Sequence, residues 1–253
     1  MKLRYSANLG WVFKEYPFEK RCEAAARAGF KGVEFGQVYE RSVKDWKSWL
    51  SDNGLDMALF NMPAGDWAKG DRGIACLPNR GSEFKESISR ALDYATALNC
   101  KRVNCLSGIG PDDDAHWGTL AENLHEAAAA FAKENVLLVI EAINRNDFAS
   151  FLINTSARAM RAIEAANHPN IKLQYDIYHM QRSEGELAAS ITRLLPMIGH
   201  MQLADNPGRH EPGTGEINFG FLLNHVADLG YDGWMGCEYA PTGKTEKSLG
   251  WMV

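Results

Sequence analysis

The sequence predicts a (β/α)₈ barrel, and three observations carry that expectation: eight short apolar runs, helical stretches between them, and no glycine-rich phosphate turn after the first run. The runs occupy residues 5–8, 32–35, 57–61, 102–106, 137–141, 172–176, 200–203 and 234–238. Their starts lie roughly 25 to 45 residues apart, room for one helix each. The first return reads Asn8-Leu9-Gly10-Trp11 rather than G-x-G-x-x-G, which argues against a doubly wound open sheet. The length of 253 residues suits one barrel, no linker divides the chain, and residues 1–253 read as one domain.

Taken in order, residues 18–28 carry Cys22, Ala25 and Ala26 at helical spacing, and Gly29 stops them. Residues 62–80, rich in Gly and Pro, lack periodicity and read as a long loop leaving the third strand, a lid over a small-molecule site. Helices are expected at 83–98 and 120–134, both rich in Ala, Leu and Glu. Asp112-Asp113-Asp114 reads as a solvated loop and helix cap. Further helices are expected at 156–166 with Ser156 as the cap, at 184–195 ending before Pro196, and at 218–229 between Asn218 and Gly230.

The composition, 45% hydrophobic and 23% charged, excludes a disordered chain. A net charge of −5 argues against a broad nucleic-acid face, which needs clustered Lys and Arg. No run approaches the roughly 18 apolar residues of a membrane span. The polar start, Met1-Lys2-Leu3-Arg4, lacks the apolar core of a signal peptide, so a cytoplasmic enzyme is expected. Five cysteines with no C-x-x-C pair read as buried, reduced thiols.

Three strands end in a carboxylate: Glu141, Asp176 and Glu238. An ionised carboxylate at the edge of a core is costly unless it is paired or binds a metal. In a barrel all three face one mouth, and the seventh strand adds the amide oxygen of Gln202. Three carboxylates and a neutral oxygen suit Mg²⁺ or Mn²⁺ better than zinc. Taken singly, each of these residues also reads as a cap, an ion-pair partner or a hydrogen-bonding group. His179, three residues after Asp176, either hydrogen-bonds a substrate oxygen at the rim or is a satisfied structural histidine. Arg209, in the glycine-rich loop after the seventh strand, suits a bidentate bond to a substrate carboxylate. His200 shares a strand face with Gln202. Glu34, Asn8 and Asn61 end strands at the same mouth, with structural hydrogen bonding the favoured role. His116, His125, His168 and His225 fall away from strand ends and are given no role.

Several segments carry a resemblance over nearly the whole chain: residues 61–67, 72–76, 174–182 (Gln-Tyr-Asp-Ile-Tyr-His-Met-Gln-Arg), 204–207, 211–218 (Glu-Pro-Gly-Thr-Gly-Glu-Ile-Asn) and 236–239. The chain resembles the hydroxypyruvate isomerases of the xylose-isomerase-like, endonuclease-IV-like superfamily of (β/α)₈ barrels. That resemblance implies interconversion of hydroxypyruvate and tartronate semialdehyde by metal-assisted proton transfer through an enediolate. Glu141 and Glu238 would transfer the proton, and Glu141, Asp176, Gln202 and Glu238 would hold the metal. The alternatives are a 2-oxo-tetronate isomerase and a ketose 3-epimerase, whose members usually carry His at the place of Gln202. The implied partner is a small 2-oxo or hydroxy acid in glyoxylate or sugar-acid catabolism. Neither nucleic acid nor membrane is expected, and homo-oligomerisation stays open.

Overall fold

The computed structural model describes residues 2–252. Eight strands form a closed, all-parallel barrel in sequence order: β1 (Arg4–Asn8), β2 (Gly32–Glu34), β3 (Asp56–Asn61), β4 (Arg102–Cys105), β5 (Leu137–Glu141), β6 (Ile171–Asp176), β7 (Ile198–Leu203) and β8 (Trp234–Cys237). Closure runs through Arg4–Ala7 of β1 against Trp234–Cys237 of β8. Every strand has two neighbours, so no edge is left unpaired. Each predicted strand is present, with ends displaced by two residues at most. Residues such as Ala7, Val33, Val139, Leu173 and Met201 are fully buried because the strands are covered on both faces.

The helices are α1 (Arg21–Arg27), α2 (Val43–Asn53), α3 (Gly81–Ala97), α4 (Asp114–Lys133), α5 (Ser156–Ala166), α6 (Ile177–Ser183), α7 (Leu187–Leu194) and α8 (Phe219–Asp228). Their apolar faces lie on the barrel at helical spacing, as with Phe84, Ile88, Ala91 and Ala95 of α3. Asp113 caps α4, its carboxylate accepting the His116 N–H at 3.0 Å, so that helix begins six residues before the expected Leu120. Thr155 rather than Ser156 caps α5, accepting from the Arg158 N–H at 3.2 Å. The expected helix at 184–195 is shorter, beginning at Leu187.

Two helices were not anticipated. In α2 only Trp46 and Leu50 are buried, one i, i+4 pair too sparse to show as a stripe, although Ser42 caps its start and Gly54 (φ 60°) its end. In α6 the helix follows β6 without a loop, and Asp176 is both the last strand residue and the helix cap. All five cysteines are free and buried. Among the described residues no helix is long and apolar enough to cross a membrane.

Candidate active site

The C-terminal ends of the strands bring the sequence-predicted residues to one mouth. Glu141 closes β5, Asp176 closes β6, Gln202 is in β7, and Glu238 directly follows β8. Register explains their proximity: Glu141 lies beside Gln174, Asp176 beside Gln202, and Gln202 beside Gly236.

Glu141 is 5% exposed and receives a hydrogen bond from Asn104 Nδ2 at 3.0 Å. Burial is the main force pushing its carboxyl well above the usual carboxylate range, and the charges of Glu238 and Asp176 push it further. Asp176 is split between two jobs. Its Oδ1 accepts the Tyr178 N–H at 2.8 Å at the start of α6, while Oδ2 faces the mouth. Burial pushes its carboxyl up too. Glu238 is pushed up to about 8, first by burial; Arg209 opposes that, and the charges of Asp176 and Glu34 add to it.

Arg209 lies between two of these acids. Its Nη2 donates to Glu238 Oε2 at 2.8 Å and to Asp176 Oδ2 at 3.2 Å. The guanidinium also stacks near Trp11 and Tyr178, 4.4 and 4.8 Å from their ring centres. The expectation of a substrate carboxylate as its first partner therefore meets two protein carboxylates instead. Nη1 makes no hydrogen bond to protein among the described residues. The backbone at Arg209 has φ 58°, a left-handed conformation uncommon for a side chain of this size. The loop around it is held by Asp205, whose buried carboxylate accepts the N–H groups of Asn206, Gly213, Gly215 and Ile217 at 2.9–3.1 Å. At Gly215 a Cβ would meet the Asn206 carbonyl oxygen at 2.2 Å, so glycine is required there.

Of the two roles left open for His179, the position at the rim does not hold. His179 is 2% exposed rather than at the rim, because α6 begins inside the mouth directly after Asp176. Its Nε2 lies 3.6 Å from Asp176 Oδ2 and 3.9 Å from Glu141 Oε1. Its Nδ1 lies 2.6 Å from Asn144 Nδ2, whose amide is oriented by Asp147. Burial, with help from Arg209 and Arg182, pulls its imidazolium well below the ordinary histidine range, which keeps the ring neutral at pH 7.

Glu141, Asp176 and His179 offer ligand atoms within 4.8 Å of one another, a buried group that could hold a metal ion. The charge balance fits a cation: Asp176 and Glu238 share one guanidinium, the charges of both raise the proton affinity of Glu141, and Asp176 raises that of Glu238. Gln202 is fixed from both sides. Its Nε2 donates to Glu34 Oε1 at 2.7 Å, and its Oε1 accepts from Gln174 Nε2 at 2.6 Å. One lone pair of that oxygen is thus committed to protein.

On the β1–β3 side of the mouth lies a cavity of about 780 Å³ lined by Asn8, Asn61, Trp11 and Trp67, and of the three acids Glu238 reaches it. Trp67 belongs to the segment 62–80, whose residues 62–65, 67 and 68 line this cavity. Sequence reasoning passed over Asn104, which bonds both Glu141 and Asn61. Its signal was available, since β1, β3 and β4 each carry an asparagine near the C-terminal end. A neutral amide simply drew less notice than a carboxylate.

A closed parallel barrel with buried acids gathered around one arginine at its C-terminal mouth defines the class: a (β/α)₈ barrel with its polar cluster where such barrels carry their active sites. Comparison with known proteins narrows it. The model of the xylose isomerase-like TIM barrel family matches residues 22–253. The hydroxypyruvate isomerase of Escherichia coli (strain K12) is 48% identical, over 99% of this chain and 98% of its own. The 2-oxo-tetronate isomerase of Cupriavidus necator is 40% identical, over 98% of this chain and 97% of its own. A crystal structure from Brucella melitensis, described as an AP endonuclease of family 2, superposes with a TM-score of 0.96 at 39% identity, covering 98% of this chain and 97% of that one. The chain belongs to the xylose isomerase-like TIM barrel family, and it is an isomerase.

Proposed function

We propose that this isomerase interconverts hydroxypyruvate and tartronate semialdehyde, moving a proton between C3 and C2 through an enediolate. The observation that carries the reading is the convergence of Glu141 and Glu238 on one mouth beside Arg209, in a chain 48% identical to a hydroxypyruvate isomerase. Both carboxyls have raised proton affinities, which suits groups that take a proton from carbon and return it. Glu141 and Glu238 are the proton-transferring pair, one as base and the other as conjugate acid. Arg209, through the Nη1 left over from its protein contacts, holds the substrate carboxylate. His179 receives the Asn144 N–H at Nδ1, so its Nε2 carries the hydrogen and donates to a substrate oxygen.

Glu141, Asp176 and Glu238 would hold a metal ion, with Oε1 of Gln202 as the neutral donor. Oxygen donors of this kind suit Mg²⁺ or Mn²⁺. A divalent ion held there would supply Lewis-acid stabilisation of the charge that builds on the enediolate oxygens.

A second reading, a 2-oxo-tetronate isomerase, is favoured by the 40% identical relative of that name and by a cavity of about 780 Å³, ample for one more carbon. Proton NMR of hydroxypyruvate and of 2-oxo-tetronate in D₂O, with purified protein and Mg²⁺, separates the two. Product chiefly from hydroxypyruvate is the expected result. A strong preference for 2-oxo-tetronate keeps the chemistry and changes the substrate. Turnover of neither would overturn both readings.

A further inference from the structure

Beneath the acids at the mouth lies another carboxylate that the reaction scheme does not use. Glu34 is fully buried, and its side chain crosses the barrel interior from β2 toward β1, β8 and β7. Space for it exists because β8 carries Gly236 at that level; a Cβ there would lie 2.4 Å from Glu34 Oε1. Gly236 is flanked in the sheet by Ser6 and Gln202, and both bond the carboxylate that fills the gap.

Four groups converge on this one carboxylate. Oε2 accepts from Ser6 Oγ at 3.1 Å and from His200 Nε2 at 2.9 Å. Oε1 accepts from Asn8 Nδ2 at 3.1 Å and from Gln202 Nε2 at 2.7 Å. The two sides differ in kind. The Ser6 hydroxyl can turn and the His200 ring can change tautomer, its Nδ1 being buried without a partner. The amides of Asn8 and Gln202 have no such freedom, because their opposite ends are committed. Asn8 Oδ1 accepts the Gly10 N–H at 3.1 Å, and Gln202 Oε1 accepts from Gln174 at 2.6 Å. The second hydrogen of Asn8 Nδ2 goes to Glu238 Oε1 at 3.0 Å, while Arg209 holds the other oxygen of Glu238. Glu34 therefore fixes Asn8, and Asn8 fixes one oxygen of Glu238.

We infer that Glu34 is a positioning residue for the reaction: through Asn8 it aims the carboxylate of Glu238, and through Gln202 it sets which end of that amide turns toward the mouth. This rests on the reading of Glu238 as a proton-transferring group. Glu34 touches no substrate; it acts through its neighbours. An aiming role needs an acceptor on the Asn8 and Gln202 side only. A glutamine at this place supplies one there and presents its NH₂ to Ser6 and His200, which can adapt.

The test is steady-state kinetics of Glu34→Ala, Glu34→Gln, Asn8→Ala and the double variant Asn8→Ala/Glu34→Ala, with thermal unfolding as a check on folding. The substrate is whichever of hydroxypyruvate and 2-oxo-tetronate the wild type turns over. Misplacing a catalytic group by about 1 Å can cost about 100-fold, so Glu34→Ala should lower kcat by about that factor with KM changed less than about 3-fold. Glu34→Gln should recover to within about 10-fold of wild type, Asn8→Ala should reproduce most of the loss, and the double variant should be no slower than Glu34→Ala. Near-wild-type kcat in Glu34→Ala overturns the inference. So does a Glu34→Gln as slow as the alanine, which would mark a role of charge rather than aim, or losses that multiply in the double variant. Should Glu34→Ala fail to fold, Asn8→Ala decides, and wild-type kcat there overturns the inference. Glu238→Gln serves as the control. An active Glu238→Gln removes the reading of Glu238 and the route built on it. An inactive one, beside active Glu34→Ala and Asn8→Ala, removes this inference alone.

Discussion

Glu34 and Glu141 are both buried glutamates at strand ends of one barrel, yet their surroundings are opposite. Glu34 is fully enclosed and accepts four hydrogen bonds. Glu141 receives one hydrogen bond to its side chain, from Asn104, and faces the like charges of Asp176 and Glu238. A buried carboxylate with all its needs met is a structural element. One left short of donors and beside its own kind binds protons or cations readily. The same residue type is thus saturated with donors on the β1–β2 side and short of them on the β5–β6 side, where the proposed reaction places its proton transfer. What differs is the set of donors that each strand neighbour brings.

The sharpest way to break this contrast is to neutralise the acids whose proton affinity is raised. Glu141→Gln and Glu238→Gln should each lower kcat by about 1,000-fold or more, within the range of general acid–base catalysis. Thermal unfolding of Glu141→Gln should show equal or higher stability, because that substitution removes a buried charge beside two like ones. Near-wild-type kcat in either variant would remove that residue from proton transfer.

Arg209→Ala strips Asp176 and Glu238 of their shared cation. Activity should fall by about 100-fold in kcat/KM, since both aim and charge balance are lost. Urea unfolding should show a loss of about 3 kcal/mol, the scale for breaking a buried ion pair. A stability unchanged from wild type would show that the acids had already been neutralised by protonation.

The satisfied side is best stressed by volume. Gly236→Ala would drive a methyl group against the Glu34 carboxylate, at 2.4 and 2.5 Å from its oxygens. Overpacking of that kind costs about 1–3 kcal/mol. The urea midpoint should move down accordingly, and an unmoved midpoint would mean that Glu34 can swing aside.

The smallest effect is on pH. The Glu238 carboxyl is raised from 4.5 to about 8, so between those values the folded state binds more protons than the unfolded chain. That contribution to stability is fully present below pH about 4.5 and is lost as pH rises through about 8. Metal-free protein should therefore melt progressively lower over this window, by about 2–4 °C for each kcal/mol lost. Added Mg²⁺ or Mn²⁺, which needs the ionised acids, should raise the melting temperature more at pH 8.5 than at pH 5.5. A metal-induced shift independent of pH would separate the metal from these carboxylates.

Much of the fold was legible in the chain because buried parallel strands read as continuous apolar runs, and eight of them recur at regular spacing. The helices α2 and α6 escaped notice. One buries a single i, i+4 pair, and the other is fused to the strand before it with no loop to announce it. At the mouth, Glu141, Asp176 and Glu238 were visible as charges ending apolar runs, and Gln202 as the polar residue near the end of the seventh. Asn104 was missed because a neutral amide at a strand end has many uses. His179 was left open between the rim and a structural role, and it is buried because α6 starts one residue after Asp176.

The sequence by itself determined the barrel, the strand ends that face its mouth and the acids available there, because periodicity and apolar runs are local properties of the chain. Only the tertiary structure decided which acid is satisfied and which is left exposed to its neighbours. That outcome depends on contacts between strands far apart in sequence, such as Glu34 with His200 and Gln202, 166 and 168 positions away. It also depends on the absence of a side chain at Gly236, which lets a buried carboxylate cross the barrel and reach them.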